Sequence, residues 1–108
     1  LNEKEDVIES AEIQPIFPGG DEKLFEYLAK NIKYPTSIKG QLIFSFYFEF
    51  VIEKDGSISN LKMVKNYNEK LYRHIVLVFL DMPKWEPAMR PNGNTTKSAR
   101  VITIRYGE

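Results

Sequence analysis

LIFSFYFEFVI, residues 42–52, is the stretch that decides the fold. Every second side chain in it is apolar, and the positions between them are mixed, as Ser45 and Glu49 show. This period-two alternation is typical of a strand with one buried face. The apolar set is Leu42, Phe44, Phe46, Phe48, Phe50 and Ile52. A half-buried strand of this kind indicates an antiparallel sheet that carries helices on one face only.

The residues that follow this strand predict a β-hairpin. Lys54-Asp55-Gly56-Ser57 is the expected turn, because Asp-Gly accepts the positive φ angles that tight turns need. Ile58–Val64 is the expected return strand. Asn60 interrupts its alternation, so we expect a bulge or a twist near Ser59-Asn60.

Two helices and a last strand complete the pattern. Apolar residues at helical spacing predict a first helix from about 21 to 33, capped at its start by Asp21, and a second from about 69 to 81. The apolar positions of the first helix are Leu24, Phe25, Leu28 and Ile32. β-Branched residues predict a final strand, Thr95–Tyr106. The expected fold class is α+β, a three-stranded antiparallel sheet with two helices packed on its phenylalanine face.

The beginning of the chain divides into a tail and a strap. Residues 1–12 are expected to form an acidic tail or linker, and residues 13–108 a single domain. The domain opens with IQPIFPGG, an extended strap in which Ile16 and Phe17 are the expected anchors. Because the chain begins at Leu1 and not at Met, we expect a processed or cut chain whose signal or anchor has been removed.

Composition excludes several classes of protein. The chain has 108 residues, of which 43% are hydrophobic, so one folded domain is expected and disorder is excluded. The formal net charge is +0, which argues against a nucleic-acid-binding protein. The absence of cysteine excludes disulfides, iron–sulfur clusters and thiolate zinc sites. No apolar run of about 18 residues occurs, so no membrane span is expected within this chain.

No motif points to catalysis or to a cofactor. His74 is the single histidine, and without neighbouring ligands it is interpreted as a solvated or boundary side chain. Gly19-Gly20 precedes a helix, but Asp21 would repel a phosphate, so a tight turn is favoured over an anion site. There is no Gly-x-Ser-x-Gly elbow. We therefore predict no enzyme activity and no catalytic, metal-binding or cofactor-binding residue.

The last strand is the first candidate binding surface. A terminal strand at a sheet edge offers unpaired N–H and C=O groups to an incoming peptide. The candidate partner-binding residues are Lys97, Ala99, Arg100, Val101, Thr103 and Arg105. The same charges could instead protect the edge against aggregation, and the sequence favours neither interpretation over the other.

The outer face of the second helix is the other candidate. Val76, Leu77 and Leu80 point away from its core stripe and make the helix apolar nearly all round. We expect these three side chains to be covered, either within the chain or by a second copy in a homodimer.

Four phrases of the sequence resemble one known family. Pro15–Pro35, PIFPGGDEKLFEYLAKNIKYP, is similar to the opening of the TonB C-terminal domains of Bacteroidetes-type bacteria, where Pro-x-Phe-Pro-Gly-Gly precedes a helix closed by Tyr-Pro. Phe50–Lys65 resembles the family's Phe-Val-Val-x-x-Asp-Gly-Ser-Ile hairpin. Met82–Ala88 resembles its Met-Pro-x-Trp-x-Pro-Gly phrase, and Asn92-Gly93 precedes the last strand as in the family. The phrases cover nearly the whole chain in the family's order.

This resemblance implies a fold and a function. The family has two helices on one side of a three-stranded antiparallel sheet. Its members lie in the periplasm and are tethered to the inner membrane through a linker and an N-terminal helix. For this chain the resemblance implies a periplasmic location, with tethering to the inner membrane or secretion across it through a segment absent from the chain. They pair their C-terminal strand with the TonB-box peptide of outer-membrane transporters and so transmit energy for transport. Carried onto this chain, the pairing strand is Thr95–Tyr106.

Departures from the family pattern keep a second function open. Gly40 stands alone where the family has two spaced glycines, and Ala88 replaces the glycine of the Trp-x-Pro-Gly phrase. The alternative is a stand-alone or fused module of this fold that dimerises or binds a different protein, without transducer activity.

Overall fold

The computed structural model describes residues 13–39, 43–65 and 67–107. The expected acidic tail, residues 1–12, lies outside the described residues, as do Leu42 and the side chain of Phe44. The described elements run in the order α1 (Asp21–Asn31), α2 (Thr36–Lys39), β1 (Ile43–Ile52), β2 (Ile58–Val64), α3 (Glu69–Leu80), β3 (Ala88–Met89), β4 (Thr95–Thr96) and β5 (Ser98–Gly107).

The main sheet is antiparallel and has the strand order β2-β1-β5. β1 pairs with β2 from Ile52↔Ile58 to Tyr47↔Val64, and with β5 from Ile52↔Ser98 to Ile43↔Gly107. The predicted α+β class with a three-stranded antiparallel sheet is confirmed, and α1 and α3 are the two longer helices. The predicted final strand divides, because Thr95–Thr96 pairs with Ala88–Met89 in a separate two-stranded sheet.

The core lies between one face of β1 and the two longer helices. Phe46, Phe48 and Phe50 are fully buried, and their rings contact one another or Phe79 of α3. The helices contribute Leu24, Leu28, Leu71, Ile75 and Val78. The alternate β1 side chains from Ser45 to Val51 are only half-buried on the opposite face. The alternation in the sequence therefore corresponds to one covered and one open face of the sheet.

The strap packs against the loop that follows α3. Ile13 pairs with Met89 and Ile16 with Glu86 through isolated backbone bridges. Phe17 is 4% exposed and meets the ring of Trp85 edge-on, with the ring centroids 5.6 Å apart. The predicted anchor at Phe17 is confirmed. The prediction is wrong for the side chain of Ile16, which is 41% exposed, so its backbone and not its side chain holds the strap there.

The hairpin contains the expected bulge and one unexpected feature. Glu49 pairs with Lys62 but Val51 pairs with Ser59, so Asn60 and Leu61 lie opposite one residue of β1. Asn60 has φ 51, a left-handed conformation that asparagine tolerates, and the predicted bulge is confirmed. In the turn only Gly56 has a positive φ, so the prediction that both residues of Asp-Gly supply one was wrong.

Asp55 of this turn predicts a measurable acid response. Its carboxylate accepts hydrogen bonds from the Ser57 hydroxyl at 2.6 Å and the Ser57 N–H at 2.9 Å, which lower its pKa to about 2, with Lys84 adding to the effect. The contribution of a depressed carboxyl pKa to stability is present above the unfolded pKa and is lost as the pH falls through the folded one. We therefore expect the contribution of Asp55 to disappear between about pH 3.8 and pH 2. A carboxyl NMR titration of Ser57→Ala should show a higher midpoint, and an unchanged midpoint would contradict the assignment.

Candidate partner-binding edge

β5 lies at one edge of the main sheet, as expected for the last strand. It pairs with β1 along ten residues without a register shift. Within the described parts of the chain, no strand other than β1 pairs with β5. No backbone hydrogen bond joins β5 to any element other than β1 among these residues. In an antiparallel pair, alternate residues direct their N–H and C=O groups away from the partner strand. One side of β5 therefore presents a row of unpaired backbone groups.

The opposite edge, β2, is interrupted. The bulge at Asn60 and Leu61 breaks the regular spacing of its backbone groups. The carbonyl of Leu61 already accepts a hydrogen bond from the Tyr72 hydroxyl of α3 at 3.0 Å. Bulges and occupied backbone groups are two ways in which proteins protect a sheet edge from further pairing. The two edges thus differ, and β5 is the one suited to accept a strand.

The candidate residues of β5 lie on both faces of the sheet. Ile102 pairs with Phe48 and is 2% exposed, so the even-numbered residues of β5 face the helices. The odd-numbered residues of β5 face the open side, and Ala99, Val101, Thr103 and Arg105 are exposed. Four of the six residues predicted to bind a partner therefore share the open face, and Lys97, which is also exposed, directly precedes the strand.

Arg100 is the exception, because its guanidinium is engaged within the chain. It donates hydrogen bonds to both carboxylate oxygens of Asp21, at 3.0 and 3.1 Å, and it lies over the Trp85 ring, 5.6 Å from the centroid. Its side chain is 22% exposed. Arg100 thus joins β5 to α1 and to the loop that contains Trp85. We assign it a structural role in place of the peptide contact that was one of the two interpretations of the sequence.

α1 begins at Asp21 as predicted, but the same contact changes the role of that residue. Asp21 was expected to cap the helix, but the N-cap residue is Gly20 and no side chain caps it by a hydrogen bond. Asp21 instead lies in the first turn, where its charge still complements the helix dipole while its oxygens bind Arg100. Because the two residues are 79 positions apart, no local pattern could indicate this pair.

Lys97 and Arg105 differ in their surroundings. Lys97 lines an open depression with Glu53 and Asp55 of the hairpin turn. Arg105 is exposed, and its side chain takes part in no hydrogen bond or ion pair among the described residues. Arg105 is therefore the better candidate for contact with an acidic group of a partner.

Phe25 of α1 is a surface residue that the sequence analysis did not identify as one. Helical spacing placed it in the core stripe, but it is 47% exposed while Leu24 and Leu28 are buried. Leu24 and Leu28 are one turn apart and point into the core, so a residue next to Leu24 lies at the margin of that stripe. This angular position is the signal in the sequence that could have identified it.

The outer face of α3 is open in part. Val76 is half-buried in a groove between α3 and β2, whereas Leu77 is 64% and Leu80 74% exposed. The described residues therefore do not cover these two leucines, and the prediction that other parts of the chain cover them is wrong within those residues. Cover by a second copy stays a prediction.

His74 lies at a boundary, as interpreted from the sequence. Its Nε2 lies 2.8 Å from the Lys33 N–H and 3.0 Å from the Asn31 carbonyl oxygen, at the end of α1. No three histidine, cysteine, aspartate or glutamate side chains come together as a metal site within residues 13–39, 43–65 and 67–107. Among these same residues, no helix has the length and hydropathy needed to cross a membrane.

Comparison of the chain with protein-family models, with curated proteins and with solved structures finds no match.

Proposed function

We propose that this chain is a protein-binding domain without catalytic activity, which takes up an extended peptide by strand addition along β5. One observation carries the proposal: β5 is a regular ten-residue edge strand with an unpaired outer side, whereas the other edge is interrupted by a bulge. Strand addition needs such an edge, because the main-chain hydrogen bonds of the incoming peptide supply the affinity.

The motif resemblance gives this proposal a biological setting. A TonB C-terminal domain-like fold would place the chain in the periplasm and make the TonB-box peptide of an outer-membrane transporter its ligand. The order strap, helix, hairpin, helix, Trp-containing loop and last strand is the same in the family and along this chain.

The expected affinity is modest. Each new backbone hydrogen bond contributes about 0.5–1.5 kcal/mol net, and about half of the residues of β5 can form such bonds. The peptide loses conformational entropy when it is ordered, which offsets part of this gain. Micromolar binding that is sensitive to the length of the peptide is the expected behaviour.

Amide hydrogen exchange tests the proposal directly. In the protein alone, alternate amides of β5 should be protected by β1 while those between them exchange quickly. Addition of a ten-residue TonB-box peptide from an outer-membrane transporter should protect this second, fast set. The amides of β2 serve as the internal control and should not change. Protection confined to another surface, or none with any transporter peptide, would contradict strand addition at β5.

Exposure of Leu77 and Leu80 supports the alternative, a module of this fold that dimerises or binds a different protein through α3. Under that alternative the hydrodynamic size should increase with concentration. The double variant Leu77→Lys with Leu80→Lys should then remain monomeric at every concentration. If the unmodified chain and this variant behave alike, the apolar face of α3 is not a dimer interface.

A further inference from the structure

We propose that Phe25 of α1 forms a binding surface beside β5 for an apolar side chain of the added strand. The ligand of the edge is then an extended peptide with a large apolar residue on its helix-facing side and an acidic residue on its other side, near Arg105. This inference rests on the proposed strand addition and specifies the chemistry of the peptide.

The contacts of α1 place Phe25 on the side of the helix nearest to β5. Residues four apart lie on one face of a helix, so Phe25 lies one turn along from Asp21. Asp21 is bonded to Arg100 of β5. The hydroxyl of Tyr27 donates to the Val78 carbonyl of α3 at 2.6 Å, so the opposite side of α1 faces that helix. The exposed part of Phe25 is therefore directed toward the β5 edge of the domain.

Alternation along the sheet determines which side chains of a peptide can reach Phe25. In an added strand, the side chains level with the even-numbered residues of β5 point to the helix side. Ile102 on that side is buried and Ile104 is half-buried. The helix-facing side chains of β5 therefore become more exposed toward the end of the strand. Ala29, one turn beyond Phe25 on α1, is also exposed, so the two residues form a continuous apolar surface on one face of the helix. A leucine or a larger apolar side chain of the peptide would complement this surface.

The open face of β5 favours a peptide that carries an acidic side chain on the same side. Arg105 is exposed and takes part in no ion pair among the described residues, while Val101, four residues earlier on the same face, is 55% exposed. A carboxylate on the peptide level with Arg105 would complement its charge, and an apolar or threonine side chain would suit Val101. The two faces of the peptide are thereby recognised by different chemistry.

A double-mutant cycle tests the contact with Phe25. The probe is a synthetic ten-residue peptide with leucine on one face and alternating threonine and glutamate on the other, and its counterpart has alanine in place of leucine. Phe25→Ala should weaken binding of the leucine peptide about tenfold and that of the alanine peptide less than about twofold. Tyr67→Ala, which removes a 60% exposed aromatic ring from the segment before α3, is the matched control and should change neither affinity.

A second pair of peptides tests the contact between Arg105 and the acidic residues of the peptide. Arg105→Gln should weaken binding of the leucine peptide severalfold. It should have no effect on the affinity of a peptide in which the glutamates are replaced by glutamine. If Phe25→Ala weakens binding of the leucine and alanine peptides equally, the contact with Phe25 is overturned. If Arg105→Gln weakens binding of the glutamate and glutamine peptides equally, the contact with Arg105 is overturned.

Amide exchange of β5 recorded with the same peptides separates the two levels of the proposal. If the peptides protect β5 but Phe25 shows no coupling to leucine, the inference about Phe25 fails and strand addition stands. If no peptide protects β5, both fail.

Discussion

Replacement of Phe48 by alanine should lower the free energy of unfolding by about 3–5 kcal/mol. Phe48 is fully buried at the middle of β1, with the ring of Phe46 at 5.0 Å and that of Phe79 at 6.1 Å. Truncation removes the transfer free energy of the ring and leaves a cavity between sheet and helix, which neighbouring side chains can fill only in part. Urea unfolding followed by circular dichroism measures the loss.

Phe25→Ala is the matched control for this substitution, because it removes the same side chain from a position that is 47% exposed. Its cost should be well below that of Phe48→Ala, since water already reaches much of the ring. Similar losses for the two variants would mean that burial in the core does not distinguish these positions and would contradict the described packing.

Substitution of Gly56 by alanine should cost about 3–5 kcal/mol, of which about 1–2 kcal/mol arises from a left-handed backbone conformation and the rest from steric overlap. Gly56 has φ +88, and a methyl group at this position would overlap the carbonyl oxygen of Trp85 and approach its carbonyl carbon to 3.1 Å. The Trp85 N–H also donates to the Gly56 carbonyl at 2.9 Å, so the two backbones cannot separate without losing that bond. Thermal unfolding should show a large decrease in melting temperature.

Gly93→Ala separates the two causes. Gly93 has the same φ of +88, but no atom lies within 4 Å of a methyl group built there. Its substitution should therefore cost only the conformational part, about 1–2 kcal/mol. If the two alanine variants are equally stable, the contact between Gly56 and Trp85 carries no steric penalty.

Local patterns in the sequence predicted the elements whose physics is local. Period-two alternation gave β1 and its buried face, because the pleat of a strand sends successive side chains to opposite sides. Ile58–Val64 was predicted with the bounds that the structure has. Asn60 predicted the bulge because it interrupts the alternation of β2, and in the structure it has the left-handed backbone that asparagine tolerates. The last strand was predicted at a sheet edge, where β5 lies.

The sequence by itself thus determined the α+β class, the hairpin, the phenylalanine core and the last strand at the sheet edge. Tertiary structure alone decided that Arg100 binds Asp21, that Gly56 lies against Trp85 and that Phe25 is half exposed. Each of these depends on how elements distant in sequence lie against one another after the core has closed. Periodicity along one segment specifies which side of it is apolar, but the neighbour that meets each side is set by the packing of the whole domain.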